Sequence, residues 1–320
     1  AYNDGTDDEY QAAVFDMYPE LLKQSPLWAT LGNHDGHSAD SASQAGPYYD
    51  IFTLPADAQA GGVRSGTEAY YSFDYGQVHF ICLDSYETDR RPNGAMLTWL
   101  ENDLQATNQK WIVAFWHHPP YTKGSHNSDT EGALIDMRVN ALPILESYGV
   151  DLVLSGHSHS YERSYLLDGH YGSSGTLDPS MILDGGDGNK DGDGEYLKSD
   201  IIKDPYLGAV YIVAGSSGKI SGGSLDHPAM YASFNTLGSV LLEVTDSELN
   251  AIFIDNTNTI RDRFSIVKDV DTTPPTIVAA QAVNDTSVEV IFSERLDADS
   301  AEFVANYSID QGIVVCNAIL

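Results

Sequence analysis

The sequence predicts an α/β protein whose chemistry sits at the ends of strands, followed by a smaller all-β piece. Three observations carry this. Short apolar runs alternate with amphipathic segments, several of the runs stop at glycine, asparagine or histidine, and the composition changes beyond residue 268. Open α/β sheets gather their ligands at strand ends, so the polar clusters there are the first candidates for function.

In chain order, residues 7–24 place Ala12, Phe15, Met17, Leu21 and Leu22 at helical spacing, with acids in the first turn and Pro26 as a stop. This predicts one helix. Leu27–Leu31 predicts a buried strand that ends in Gly32-Asn33-His34-Asp35. Residues 36–66, rich in Gly, Ser, Ala and Asp, predict a long loop with a helical turn near Tyr48–Phe52. A loop of that length in a compact domain is often functional. Tyr70–Tyr75 and Val78–Leu83, joined by Gly76-Gln77, predict a hairpin. His79 in its second strand reads as structural, since a lone histidine among apolar neighbours usually finds a local partner.

Met96–Leu104 predicts an amphipathic helix. Trp111–Trp116 is apolar throughout, as a strand covered on both faces should be, and runs into His117-His118-Pro119-Pro120-Tyr121. Ala133–Tyr148 has a helical pattern despite Pro143. Val150 and Leu152–Leu154 then form a strand that Gly156 breaks, delivering His157 and His159. Side chains two apart in an extended segment point the same way, so this pair can reach one metal, or one each of two adjacent metals. Val210–Ala214, Val240–Val244 and Ala251–Asp255 are further short strands, and Ile266-Val267-Lys268 closes the region.

The chain carries 47 acidic and 16 basic residues, a formal net charge of −31. Such a field repels nucleic acid and anionic membranes. An anionic substrate would need a local positive charge, which bound cations can supply, although a secreted or salt-adapted surface accounts for the total as well. No apolar run approaches the length of a membrane span. The start, Ala1-Tyr2-Asn3-Asp4, shows neither Met nor a targeting segment, and the end stops within a strand-like run, so a piece of a longer protein is expected. Cys82 reads as a buried thiol. Cys316 lies in what reads as another domain, and the two are poor disulfide candidates that leave the redox compartment open.

Within residues 184–195, Asp187, Asn189, Asp191 and Gly192 match the start of a calcium loop, but Lys198 stands at the twelfth position, where a bidentate Glu is needed. A flexible acidic loop is the reading, with calcium at 187–195 kept as an alternative. Asn33-His34, His117 and the His157/His159 pair offer nitrogen and oxygen ligands with no thiolate, which suits zinc, manganese or iron. Their spread along the chain separates them from a structural zinc knuckle, whose ligands come in tight local pairs. Two cations with a bridging hydroxide could attack phosphorus at such a site.

Gly32-Asn33-His34-Asp35, His117-x-Pro119-x-Tyr121 and Gly156-His157-Ser158-His159, continued by Tyr161-Glu162-Arg163, occur in the order of motifs of the calcineurin-like metallophosphoesterases. Within that family the chain resembles the purple acid phosphatases over residues 1–268. The resemblance implies a four-layer α/β/β/α sandwich lacking its N-terminal strands. It implies two metal ions, iron with zinc, manganese or a second iron, one held by Tyr2 and His159 and the other by Asn33, His117 and His157. It makes His34 the phosphate contact and general acid, and places His126 in a substrate-contacting loop. His118 is expected to face the other way in a supporting role, and His37, His170 and His227 have no motif support.

Ala1-Tyr2 reads as the tail of a Gly-Asp-x-x-Tyr motif whose bridging aspartate lies upstream. This chain by itself is therefore expected to bind metal poorly and to be nearly inactive. Residues 269–275, with Thr272-Thr273-Pro274-Pro275, form a linker by composition. Residues 276–320 resemble the first half of a bacterial Ig-like surface domain, with Val288–Phe292 a half-buried strand.

The function expected is hydrolysis of phosphate monoesters by a metal-bridging hydroxide, in a secreted or cell-surface protein. No nucleic-acid partner is expected, and extracellular association would run through the Ig-like tail. Phosphodiester hydrolysis on the same fold, or surface adhesion with a degenerate site, are the alternatives.

Overall fold

The structure is a computed structural model that describes residues 2–268, 276–292, 301–310 and 313–319. Its strands in chain order are β1 (Tyr71–Tyr75), β2 (Val78–Cys82), β3 (Trp111–Trp116), β4 (Leu152–Ser155), β5 (Tyr161–Ser164), β6 (Leu166–Leu167), β7 (Ile182–Asp184), β8 (Tyr196–Lys198), β9 (Val210–Ala214), β10 (Met230–Phe234), β11 (Gly238–Val244), β12 (Glu248–Asp255), β13 (Ile260–Lys268), β14 (Ile277–Asn284) and β15 (Ser287–Phe292). The chain divides into two compact units, Ala1–Val270 and Asp271–Leu320. The linker expected at 269–275 lies outside the described residues.

A seven-stranded sheet, β1-β2-β3-β4-β9-β5-β10, lies in the first unit beside a four-stranded sheet, β11-β12-β13-β8. Strands β2, β3, β4 and β9 run parallel. That is why β3 is apolar at every position: neighbouring strands take its backbone, and both of its faces are covered.

One face packs on helices. Met96, Leu97, Leu100 and Leu104 of the helix Ala95–Ala106, with Met137, Ala141, Leu142 and Leu145, meet Ile112, Ala114 and Val153 of the sheet. The other face packs on the second sheet, where Trp111, Val113, Leu152, Val210 and Ile212 meet Leu249, Ala251, Phe253, Phe264 and Ile266. Each such aliphatic or Phe side chain contributes about 1.5–3 kcal/mol when buried.

The second helical layer expected outside the smaller sheet has no counterpart among the described residues. That sheet turns Ser239, Leu241 and Glu243 outward, as a half-solvated antiparallel sheet does.

Polar locks join the two sheets. Asp151, just before β4, lies 2.7 Å from Lys198 at the end of β8 and 2.7 Å from Lys268 at the end of β13, all three buried. Lys268 also lies over the Trp111 ring, 4.6 Å from its centroid. Arg163 of β5 makes a two-point contact with Asp262 of β13, at 2.7 and 2.9 Å.

The structure revises several expectations. Residues 7–24 are not one helix. Turns at Asp7–Tyr10 and Gln11–Phe15 stop before a separate turn at Pro19–Leu22, because Pro19 pushes Tyr18 out of the helical region. Leu27–Leu31 joins no sheet. The Ala29 carbonyl accepts from the Tyr71 hydroxyl at 2.6 Å, where a strand would have had a ladder partner. The helix at 132–147 keeps Pro143 by opening a π turn, Met137–Ala141, ahead of Leu142–Ser147. Strands β5, β8 and β10 escaped the sequence reading because they are only three to five residues long, and β5, Tyr-Glu-Arg-Ser, is mostly polar as well.

In the second unit, β14 and β15 form an antiparallel hairpin. In β15, Val290 and Phe292 are partly buried while Glu289 and Ile291 are exposed, the alternation of a half-buried strand, although Val288 at its start is 50% exposed. A two-stranded hairpin by itself buries little of either face.

Candidate functional site

Sheet register assembles the site. Trp116 of β3 pairs with Ser155 of β4, so the residues that follow, His117 and Gly156, leave the sheet side by side. The Gly156 N–H donates to the His117 carbonyl at 3.0 Å. His157 comes next with φ 61°, a left-handed conformation uncommon outside glycine, and its ring centroid lies 4.9 Å from that of His117.

Asn33 is carried by the Gly32–Asp35 turn, which the Asp35 carboxylate closes by accepting from the Gly32 N–H at 2.8 Å. A Cβ at Gly32 would sit 2.8 Å from Nδ1 of His117. Glycine is needed there because the imidazole covers the backbone.

Three atoms converge. His117 Nε2 is 2.8 Å from Asn33 Oδ1 and 3.1 Å from His157 Nδ1, and His157 Nδ1 is 3.2 Å from Asn33 Oδ1. A tetrahedral cation with bonds of about 2.0–2.1 Å would hold its ligand atoms about 3.3 Å apart. The amide oxygen carries only lone pairs. Burial, reinforced by the neighbouring histidines, pushes the pKa of His117 well down, so its imidazole is neutral. Burial first, then His126, lowers that of His157 to about 4. Two neutral imidazoles and an amide oxygen aimed at one point fit a borderline-soft cation.

A second carboxylate-containing group lies alongside. His126, on the loop after the His117 motif, has its ring centroid 3.7 Å from that of His157, and its Nδ1 donates to Glu131 Oε2 at 2.9 Å. The same oxygen lies 3.5 Å from His157 Nε2. The loop is held from beneath by buried Glu162, which accepts from Thr122 Oγ1 at 2.5 Å, Ser160 Oγ at 2.8 Å and the Lys123 N–H at 3.1 Å. The Tyr161-Glu162-Arg163 run thus supports the site's loop and, through Arg163, the joint between the sheets.

His118 does not face away. The strand stops at Trp116, so alternation no longer applies, and its ring centroid lies 4.4 Å from that of His157 with Nδ1 3.0 Å from Ser85 Oγ. His34 Nδ1 donates to the Asn3 carbonyl at 2.6 Å, which leaves Nε2 unengaged by that contact.

Tyr2 and His159 are not brought into contact with each other. The Tyr2 hydroxyl donates to Asp35 Oδ1 at 2.6 Å, and Tyr10 donates to the same oxygen. Burial and then Asp35 raise the pKa of the Tyr2 phenol, so in this arrangement it is a donor rather than a phenolate ligand. His159 Nδ1 is 2.7 Å from Ser221 Oγ.

Sequence reasoning missed Glu131, whose five-residue spacing from His126 matches no helix or strand period. Residues 187–193 are occupied with their own backbone, for example through the Asp187 carboxylate accepting from the Asn189 N–H at 2.8 Å.

Comparison with known proteins follows the same lines. A family model described as calcineurin-like phosphoesterase matches residues 2–161. Purple acid phosphatase 23 of Arabidopsis thaliana is 33% identical over 191 residues, 58% of this chain and 38% of that protein. Purple acid phosphatase 13 of the same plant is 35% identical over 158 residues, 46% of this chain and 27% of that protein. The chain thus spans well under half the length of these relatives. Among solved structures, the Plasmodium protein GAP50, described as the anchor in the inner membrane complex, superposes with a TM-score of 0.51 over 83% of this chain and 74% of that one. At 14% identity this likeness concerns the fold alone.

Proposed function

The chain belongs to the calcineurin-like phosphoesterase family, and on that premise we propose that it is the core of a metal-dependent phosphatase acting on phosphate monoesters. The single observation that carries this is the convergence of Asn33 Oδ1, His117 Nε2 and His157 Nδ1 within 3.2 Å of one another. These residues would hold one cation. The second is assigned to His159 and Tyr2, whose hydroxyl would first have to leave Asp35. Iron paired with zinc, manganese or a second iron suits the nitrogen and oxygen donors. When bound, the cations would neutralise the phosphate oxygens and activate water for attack.

The chain's own residues supply the rest. His34, whose Nδ1–H donates to the Asn3 carbonyl, would as the imidazolium turn its Nε2–H to the phosphate and pass that proton to the leaving oxygen. His126 would contact the substrate from the loop pinned by Glu162. The acidic balance makes the local cations the attraction for an anionic ester, and it favours a secreted or surface setting. The β14–β15 hairpin is assigned to the opening of an Ig-like module that would serve extracellular association.

The test is metal analysis of the full-length protein with hydrolysis of p-nitrophenyl phosphate against bis(p-nitrophenyl) phosphate. Bound transition metal with monoester turnover is the expected result. Faster diester turnover would move the assignment to a phosphodiesterase. A protein with neither metal nor hydrolysis would leave a surface-binding role instead.

A further inference from the structure

Glu131 stands between two imidazoles and offers both the same oxygen. Its Oε2 is 2.9 Å from His126 Nδ1 and 3.5 Å from His157 Nε2, and its Oε1 accepts from the Asn127 N–H at 2.8 Å. A carboxylate facing a neutral imidazole takes the ring's N–H, and the proton's position on one nitrogen decides which lone pair the other presents. We propose that Glu131 is a positioning residue that sets His126 and His157 in opposite tautomers, Nδ1–H in His126 and Nε2–H in His157.

The consequence is directional. His157 then turns its Nδ1 lone pair toward Asn33 Oδ1 and His117 Nε2, 3.2 and 3.1 Å away. His126 keeps its Nε2 lone pair for a hydrogen-bond donor on its open side. One carboxylate thereby prepares a cation ligand and a substrate contact together. The tautomer assignment rests on contacts within this chain, while its use in metal binding rests on the phosphoesterase reading.

The test uses the metal-stripped 320-residue chain at pH 8, labelled with ¹⁵N in its histidine rings, beside Glu131→Ala and Glu131→Gln. The glutamine variant keeps the side chain's shape but has one acceptor where Glu131 has two, so it must give up either the Asn127 N–H or the imidazole contact. The parent should show His126 as Nδ1–H and His157 as Nε2–H. In Glu131→Ala, His126 should pass to the Nε2–H form that a free histidine side chain favours. Zinc affinity, measured by chelator competition, should fall 10–100-fold in both variants. His126 found as Nε2–H in the parent, or ring spectra unchanged in both variants, would overturn the proposal even if zinc binds. Opposite tautomers in a parent that binds no zinc would uphold Glu131's role in setting the tautomers and overturn its role in metal binding by this chain.

Discussion

His117 Nε2 lies 2.8 Å from Asn33 Oδ1, a contact between residues 84 apart in the chain. Both atoms, with His157 Nδ1, point at one position that a cation would fill. Asn33→Ala, His117→Ala and His157→Ala should each lower zinc or manganese affinity by more than the 10–100-fold typical of losing an orienting neighbour. Calorimetric titration of the full-length protein reads this directly, and an unchanged affinity in any of the three would remove that residue from the site.

His34 is assigned to proton donation, so its loss should depend on the leaving group. His34→Ala should reduce kcat by about 10²–10⁴ for an alkyl phosphate, and by much less for p-nitrophenyl phosphate, whose leaving oxygen needs little help. A leaving-group series checks this. Equal losses across the series would assign His34 to binding alone.

Asp151 is the shared carboxylate partner of two buried lysines, Lys198 and Lys268. Removing it as Asp151→Ala should destabilise the first unit by about 3–5 kcal/mol, because Lys198 and Lys268 would be left charged in the interior. Urea unfolding at pH 7.5 gives the value. A loss below about 1 kcal/mol would show that the lysines relax to solvent.

The buried pair His170 and His227, packed against the Tyr121 ring, predicts acid lability. Burial holds their pKa values at about 4 and about 3, below the ordinary value near 6.5. Depressed folded-state values mean that the unfolded chain binds more protons, so stability falls as pH drops from about 6.5 toward 4. Each histidine should cost about 2 kcal/mol at pH 5 relative to pH 7.5. The variant His227→Leu should lose less stability than the parent over that interval, and equal losses would place the acid-sensitive groups elsewhere.

His79 shows how far local reading reaches. The sequence marked it as structural, and its two ring nitrogens lie 2.7 Å from Asp74 and 2.8 Å from Asp103 in a fully buried setting. Asp74 is near enough in sequence to be guessed. Asp103 comes from a helix that only packing brings alongside.

The strands β2, β3, β4 and β9 were legible because continuous apolar runs bounded by glycine or histidine have few other uses in a chain of this composition. Asn33, His117 and His157 were legible because each follows such a segment within a short motif. Tertiary structure alone decided what these residues could do together. The Trp116–Ser155 register, the left-handed backbone at His157 and the turn bearing Asn33 make three distant motifs into one triangle of atoms. It also brought in Glu131 and His118, and gave the Tyr2 hydroxyl to Asp35, since side-chain direction at a loop depends on what packs around it and leaves no periodic trace in the sequence.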